Sequence, residues 1–449
     1  MRRGWSRRAE PPLRPAPPAD VTGRRRAALS GRLPGERLVI PAGRSPVRTN
    51  DQHYRFRPDS DYVWLSGDQS AAGVLVLDPE GDGHRPTLFL PPPSRREDDS
   101  FWRDAAGGEL WVGPRPSLDA ISAGLSIDCR PRDELKLLPE PGINTRVLRG
   151  VDAQAEELTA ECDEDDDDLL RTTLAELRLV KDEWELEQLR IAVAVTADGF
   201  RDVARALRDA TALTERDVEG IFGHRTRALG NGAGYQTIAA AGPHAGVLHW
   251  TSNDGRLRPG EMLLLDAGAE TDTLYTADIT RTMPISGRFT GLQREVYEIV
   301  LAAQDAAIDA VRPGRPFRDY HRAAARVLAE GLHGLDLLPV PAEESLREDC
   351  GLHRRWTLCA PGHMLGLDVH DCAQAAPRTY TDGTLRAGQV LTVEPGLYFQ
   401  DNDAMVPEAL RGLGIRIEDD VLVTTDGCEL LSRALPRVPA ELEAWMGAA

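Results

Sequence analysis

Apolar residues recur along this chain in two rhythms, and the change between them divides it. Up to about residue 150 the apolar runs are short and strand-like. AAGVLVLD (71–78) is a β-branched run ending at Asp-Pro, a strand followed by a turn. TLFLPPP (87–93) is another, stopped by prolines that cannot donate ladder hydrogen bonds. Within VRTNDQHYRFRPDSDYVWLSG (47–67), Tyr62 to Leu65 reads as an aromatic-rich strand. Helical-looking segments alternate with these runs, which predicts a small α/β domain over 31–170.

From about residue 170 the spacing becomes helical. Lys-Asp-Glu-Trp-Glu (181–185) is expected to separate a linker helix from a long one. Thr214, with Asp217 three positions later, has the form of a capping box. Glycine-rich turns and strands follow in GYQTIAAAGPHAGVLHW (234–250) and EMLLLDAG (261–268). Helices are predicted over 290–311, stopped by Arg-Pro-Gly, and over about 317–333. No period of 20–50 residues repeats, which excludes a solenoid. At 449 residues, 41% hydrophobic and 28% charged, the chain is long enough for two domains.

Charge changes the picture at two places. The net charge of −19 disfavours nucleic acid or an anionic membrane as partner. Residues 1–30 nonetheless carry eight arginines against Glu10 and Asp20, with several prolines and no apolar segment behind them. They read as a disordered basic arm and not as a signal peptide. ECDEDDDD (161–168) reads as a solvated helix start or loop at a domain junction, since EF-hand spacing is absent. No run of about 18 apolar residues occurs, so no membrane span is expected. The six cysteines are scattered without CxxC spacing, which argues against structural zinc and for reduced thiols in a cytoplasm.

Five residues at the edges of apolar segments carry the chemistry. They are Asp266, Asp278, His363 in PGHMLGLDVHD, Glu394 in LTVEPGLYF and Glu418 in GIRIEDDVLV. A buried carboxylate is costly unless it is paired or bound to a cation. Carboxylates with one imidazole suit Mn²⁺, Zn²⁺ or Co²⁺. Four carboxylates and a histidine exceed the three protein ligands of one catalytic zinc. They suit two cations about 3.5–4 Å apart that share carboxylates. The Asp-x₁₁-Asp spacing would let two antiparallel strands bring Asp266 and Asp278 together. Taken singly, each residue reads equally well as a turn cap or a hydrogen-bonded structural group.

The wording around these residues resembles the creatinase/aminopeptidase ("pita-bread") metallopeptidase family, and within it the aminopeptidase P branch. The matching segments are HWTSND (249–254), LLLDAGAE (263–270), YTADITRT (275–282), GHMLGLDVHD (362–371), TVEPGLYF (392–399) and GIRIEDDVLVT (415–425). RTNDQHYRFRPDSDY (48–62) is similar to that branch's N-terminal domain, and LRLVKDEWELEQLR (177–190) to the start of its catalytic domain. The resemblance implies an α/β (α+β) chain: a small N-terminal domain, then a pita-bread catalytic domain over 171–449. It implies a metalloaminopeptidase acting on peptides with proline second, by attack of a metal-bridging hydroxide. Asp266 and Asp278 would be ligands with Asp278 bridging, His363 the imidazole ligand, and Glu418 the second bridge. Glu394 would bind metal and carry the water's proton. The pair of ions would be Mn²⁺, with Zn²⁺ or Co²⁺ as alternatives.

By the same resemblance His249 and His370 would serve the substrate side, and Asp51, Tyr398 and Arg416 would support the metals. A homo-oligomer, dimer or tetramer, is implied too. The chain departs from the family pattern at Cys359, where a histidine is usual, and in an Asp-Asp spacing one residue longer than the common form. Two other readings stay open: a prolidase with the same centre, and a non-catalytic binding protein on the same fold.

Overall fold

The structure, a computed structural model, describes residues 9–94, 96–137, 143–157, 164–357 and 361–449. The chain forms two compact units that meet between Leu177 and Arg178. The boundary expected at 170 falls seven residues earlier, within the same helix.

In the first unit α1 (Ala19–Arg32) leads into β1 (Arg37–Pro41). α2 (Ser60–Ser66) precedes the hairpin of β2 (Val74–Glu80) and β3 (Gly83–Leu90). β4 (Asp128–Pro131) and β5 (Thr145–Val147) complete a five-stranded mixed sheet in the order β4-β3-β2-β1-β5. Val39, Val74, Val76, Phe89 and Val147 form its core. β3 stops at Leu90, before the prolines, as the sequence predicts. β2 instead runs through Asp78-Pro79, and the turn comes at Gly81 with φ 58°. Asp78 is held in the strand by Arg37 Nε at 2.5 Å.

Two sequence expectations fail in this unit. Residues 19–30 of the basic arm are helical, with Val21 and Leu29 buried. Two of its arginines are used internally: Arg25 donates to the carbonyl of Trp64 at 3.1 Å and Arg26 to that of Leu65 at 2.7 Å. Those carbonyls lie in the last turn of α2, where a helix leaves acceptors unsatisfied. Tyr62 to Leu65 is not a strand but the middle of α2. Asp59 caps that helix by accepting from the amides of Asp61 and Tyr62, and Gly67 ends it in the left-handed region at φ 75°. All seven residues of α2 are buried, so the helix shows no polar face and no helical period.

The expected linker helix is α3 (Glu164–Arg178), which starts within the acidic run; residues 161–163 lie outside the described residues. The second unit begins at Arg178, the last residue of α3, and its first full helix is α4 (Glu183–Ala206), closed at its start by an Asp182–Glu185 capping box. α5 (Glu215–Leu229) has the Thr214–Asp217 box the sequence predicts. β6 (Ile238–Ala241), β7 (Met262–Ala267) and β8 (Ile279–Pro284) form an antiparallel sheet with β7 central. α6 (Gly291–Ala310) and α7 (Arg318–Gly334) pack together at the expected places. β9 (Val390–Val393) pairs antiparallel with β12 (Asp419–Val423), which also pairs with β13 (Cys428–Leu430). β10 (Gly396–Tyr398) and β11 (Gly414–Arg416) make a hairpin between them.

Candidate metal centre

The antiparallel register of β7 and β8 sets Asp266 opposite Thr280, and Asp278 lies directly before β8. Both carboxylates therefore end up on one side of the same strand pair. Gly268 is needed there, because a Cβ would collide with the carbonyl of Ala277. Glu394 follows β9, and Glu418 sits between β11 and β12. The amide of Glu418 donates to the Thr280 carbonyl at 3.1 Å, which ties the second acidic pair to β8. His363 lies on a loop held by Thr392, whose amide donates to the His363 carbonyl at 2.8 Å.

The five residues singled out from sequence come together. His363 Nε2 is 3.3 Å from Asp278 Oδ2 and 3.4 Å from Glu394 Oε1. Asp278, His363 and Glu418 each offer a ligand atom within 4.8 Å of the others. Tyr235 Oη reaches both Asp266 Oδ1, at 2.7 Å, and Asp278 Oδ1, at 2.5 Å. His363 Nδ1 donates to the Met364 carbonyl at 3.1 Å, which turns Nε2 toward the acids.

Charge in this cluster is out of balance. Burial, helped by Asp278, pushes Asp266 up against the pull of Arg416. Burial lifts Glu394 to about 7 and Glu418 well above the carboxylate range, with Asp278 adding to both. Asp420, buried beside them, is pushed up by burial and by Asp278, and its Oδ1 has no hydrogen-bond partner among the described residues. Burial works against a charged His363, but its bond to Asp278 and the charge of Glu394 outweigh that and raise it to about 9. One phenolic proton on Tyr235 cannot serve both carboxylate oxygens at once, so one of the two short contacts has no proton in it. Such a set fits divalent cations: carboxylate oxygens and one free imidazole nitrogen, with more negative charge than Arg416 and His363 offset.

Arg416 and Tyr398 lie in the same cluster. Arg416 Nη2 donates to Asp266 Oδ2 at 2.6 Å, Nη1 to Tyr398 Oη at 3.0 Å, and Nε to Thr280 Oγ1 at 3.1 Å. Thr280 Oγ1 in turn donates to Glu418 Oε2 at 2.7 Å. His370 is exposed, its ring 4.3 Å from that of His363 and nearly perpendicular to it. Burial of part of the ring and the charge of His363 hold His370 below its usual range. His249 is exposed on the turn after β6 and near enough to add to that lowering. Asp51 lies in the exposed turn of a two-strand hairpin in the first unit, whereas every other residue named here belongs to the second. Cys359 lies outside the described residues. Tyr235 and Asp420 escaped the sequence reading: one sits in a stretch taken as strand, the other beside the ligand Glu418. A second acid immediately after GIRIE was the one available signal.

Buried acids and an imidazole gathered where two antiparallel sheets meet define the class of metal-dependent hydrolases. The second unit matches metallopeptidase family M24 over residues 187–425, and the first matches the aminopeptidase P N-terminal domain over 22–140, beginning inside α1. The chain belongs to metallopeptidase family M24. It is 52% identical to Xaa-Pro aminopeptidase 1 of Streptomyces coelicolor, across 100% of this chain and 91% of that protein. It is 32% identical to the Xaa-Pro aminopeptidase of Escherichia coli, across 95% and 97% of the two chains. Among solved structures, E. coli aminopeptidase P with the inhibitor Pro-Leu superposes with a TM-score of 0.85 at 30% identity, covering 97% of this chain and 99% of that one. A Pseudomonas aeruginosa aminopeptidase gives 0.84 at 30% identity, covering 96% and 99%.

Proposed function

We propose that this chain is a metal-dependent aminopeptidase that releases the N-terminal residue from peptides with proline in the second position. The observation that carries the reading is the buried cluster of Asp266, Asp278, His363, Glu394 and Glu418, whose negative charge its own cations do not offset. The names of its relatives supply the substrate class. Those five residues would hold two divalent cations, and the mostly carboxylate donor set would favour Mn²⁺ over softer ions. Bound there, such ions acidify a water and polarise the scissile carbonyl.

The chain's own groups do the rest. Glu394 would take a proton from that water and hand it on. Thr392 Oγ1, 3.3 Å from Glu394 Oε1, orients it. Arg416 holds Asp266 in place and pulls against the rise that burial gives its carboxyl. His370 stays neutral at physiological pH and can donate to substrate, with His249 beside it. A proline amide has no N–H and holds its neighbour extended, so the substrate must be read by shape and by its ends.

Among the described residues no helix is long and apolar enough to cross a membrane. Cys129, Cys350, Cys372 and Cys428 are free thiols, which supports a cytoplasmic home. Family likeness supports a homo-oligomer.

The test is metal analysis and peptide turnover on one preparation. Chelator is expected to abolish release of Xaa from an Xaa-Pro-Yaa peptide, and Mn²⁺ to restore it. Turnover confined to Xaa-Pro dipeptides would make the enzyme a prolidase, and turnover untouched by chelation would remove the metal from the reaction.

A further inference from the structure

The turn that carries His249 is anchored by a carboxylate remote from the metal ligands in sequence. Glu215 opens α5 and is completely buried. Each of its two oxygens accepts from two donors. Oε1 takes the amide of Ala241 at 2.7 Å and His244 Nδ1 at 2.8 Å. Oε2 takes Trp250 Nε1 at 2.9 Å and the amide of Gly255 at 2.7 Å. The Glu215 amide returns a bond to the Gly255 carbonyl at 2.9 Å. One carboxylate thus ties together both ends and the middle of 241–255.

His244 and Trp250 stack, ring centres 3.9 Å apart, so the two side chains that grip Glu215 also grip each other. His249 is the residue before Trp250. On its other side the Leu248 carbonyl lies 3.5 Å from Arg416 Nη2, the same nitrogen that holds Asp266. Glu219, one turn along α5, receives Asn253 Nδ2 at 3.0 Å, and the Asn253 backbone is left-handed at φ 47°. The turn is therefore braced from α5 while its tip, with His249, stays exposed.

Glu215, His244 and Asp254 also offer ligand atoms within 4.8 Å of one another, the composition of a cation site. A cation there would have to displace one of the four donors already on Glu215, so the cluster is a clamp. We infer that Glu215 is a positioning residue for the peptidase reaction, fixing His249 beside the metal centre through Trp250 and Gly255.

This rests on the proposed function, and the test keeps the two apart. Glu215→Gln swaps an acceptor oxygen for a donor, so at least one N–H is left facing an N–H. In the Xaa-Pro-Yaa assay it is expected to lower kcat about tenfold or more with KM within about twofold and metal content unchanged. In a His249→Ala background the same change is expected to cost less than about twofold, because the group it serves is gone. Trp250→Phe, which removes the indole N–H together with part of the ring stacked on His244, repeats the cycle should Glu215→Gln fold poorly. Hydrogen exchange, which needs no activity, is expected to speed up across 241–255 and not in β7 or β8. Equal losses in both backgrounds, or unchanged exchange in 241–255, would overturn the clamp alone. Full turnover by His249→Ala would overturn the clamp together with the role given to His249.

Discussion

Two groups of buried charge lie in the same unit, and they solve burial in opposite ways. At the metal centre Asp266, Glu394, Glu418 and Asp420 are all pushed up by burial, each with another acid adding to the shift. At the loop that ends in His370, Asp371 is equally buried, yet Arg178 and Lys181 overcome the cost of burial and hold its carboxyl far below the usual range. Lys181 Nζ meets Asp371 Oδ2 at 2.8 Å, and both side chains are 1% exposed. Lys181 also donates to the Arg178 carbonyl at 2.8 Å, and Arg178 reaches Asp368 as well as Asp371. One cluster carries its own counter-charge and is complete. The other lacks it, which is the physical signature of a place built for added cations.

The largest effect should come from removing a ligand. Asp278→Ala or Glu418→Ala is expected to cut kcat/KM by about a thousandfold or more, about 4 kcal/mol of transition-state stabilisation, with metal content falling in parallel. Full activity in either variant would break the contrast at its first term.

Next comes stability, where the two clusters should answer with opposite signs. Lys181→Met strips a counter-charge from a closed network and is expected to cost about 3–5 kcal/mol in urea unfolding. Glu418→Gln in chelated protein removes a like charge from a crowded one and should leave the midpoint unchanged or higher. A loss of stability in chelated Glu418→Gln comparable to that of Lys181→Met would mean the acids are already compensated.

The smallest effect is in pH. A carboxyl whose pKa is raised by folding contributes stability below its unfolded pKa and loses it as pH climbs through the folded value. With Glu394 at about 7 and His363, raised likewise, at about 9, chelated protein should weaken steadily from mildly acid to alkaline pH. Added Mn²⁺ should flatten that slope, since bound ligands no longer carry those protons. Asp371 runs the other way: its depressed pKa gives stability present above about pH 4 and lost on acidification. Thermal melts across pH with and without metal separate the two trends, and an Asp371→Asn variant should lose only the acid limb.

Much of this was legible beforehand, for reasons that differ by region. The capping pairs Thr214–Asp217 and the stop after Ala310 are local chemistry, so they read directly from spacing. The four acids and the imidazole showed because each breaks an apolar run at its edge. α2 did not show, because a helix buried on every side has no polar stripe to mark its period. The Arg-rich arm misled because arginines read as solvated charge until the carbonyls of Trp64 and Leu65 are there to receive them. Glu215 looked like an ordinary first-turn acid of α5, since its four donors come from residues up to forty positions away.

The sequence by itself determined which groups could meet: oxygen-rich ligands in a fixed order, each seated by the strand or cap beside it. Only the tertiary structure decided which buried charges are balanced and which are not. Coulomb energy depends on separation in space and on the local dielectric, and neither is written in the spacing along the chain. Asp371 and Asp420 are both acids that follow a site residue closely. One finds Arg178 and Lys181 and is balanced; the other finds Asp278 and is not.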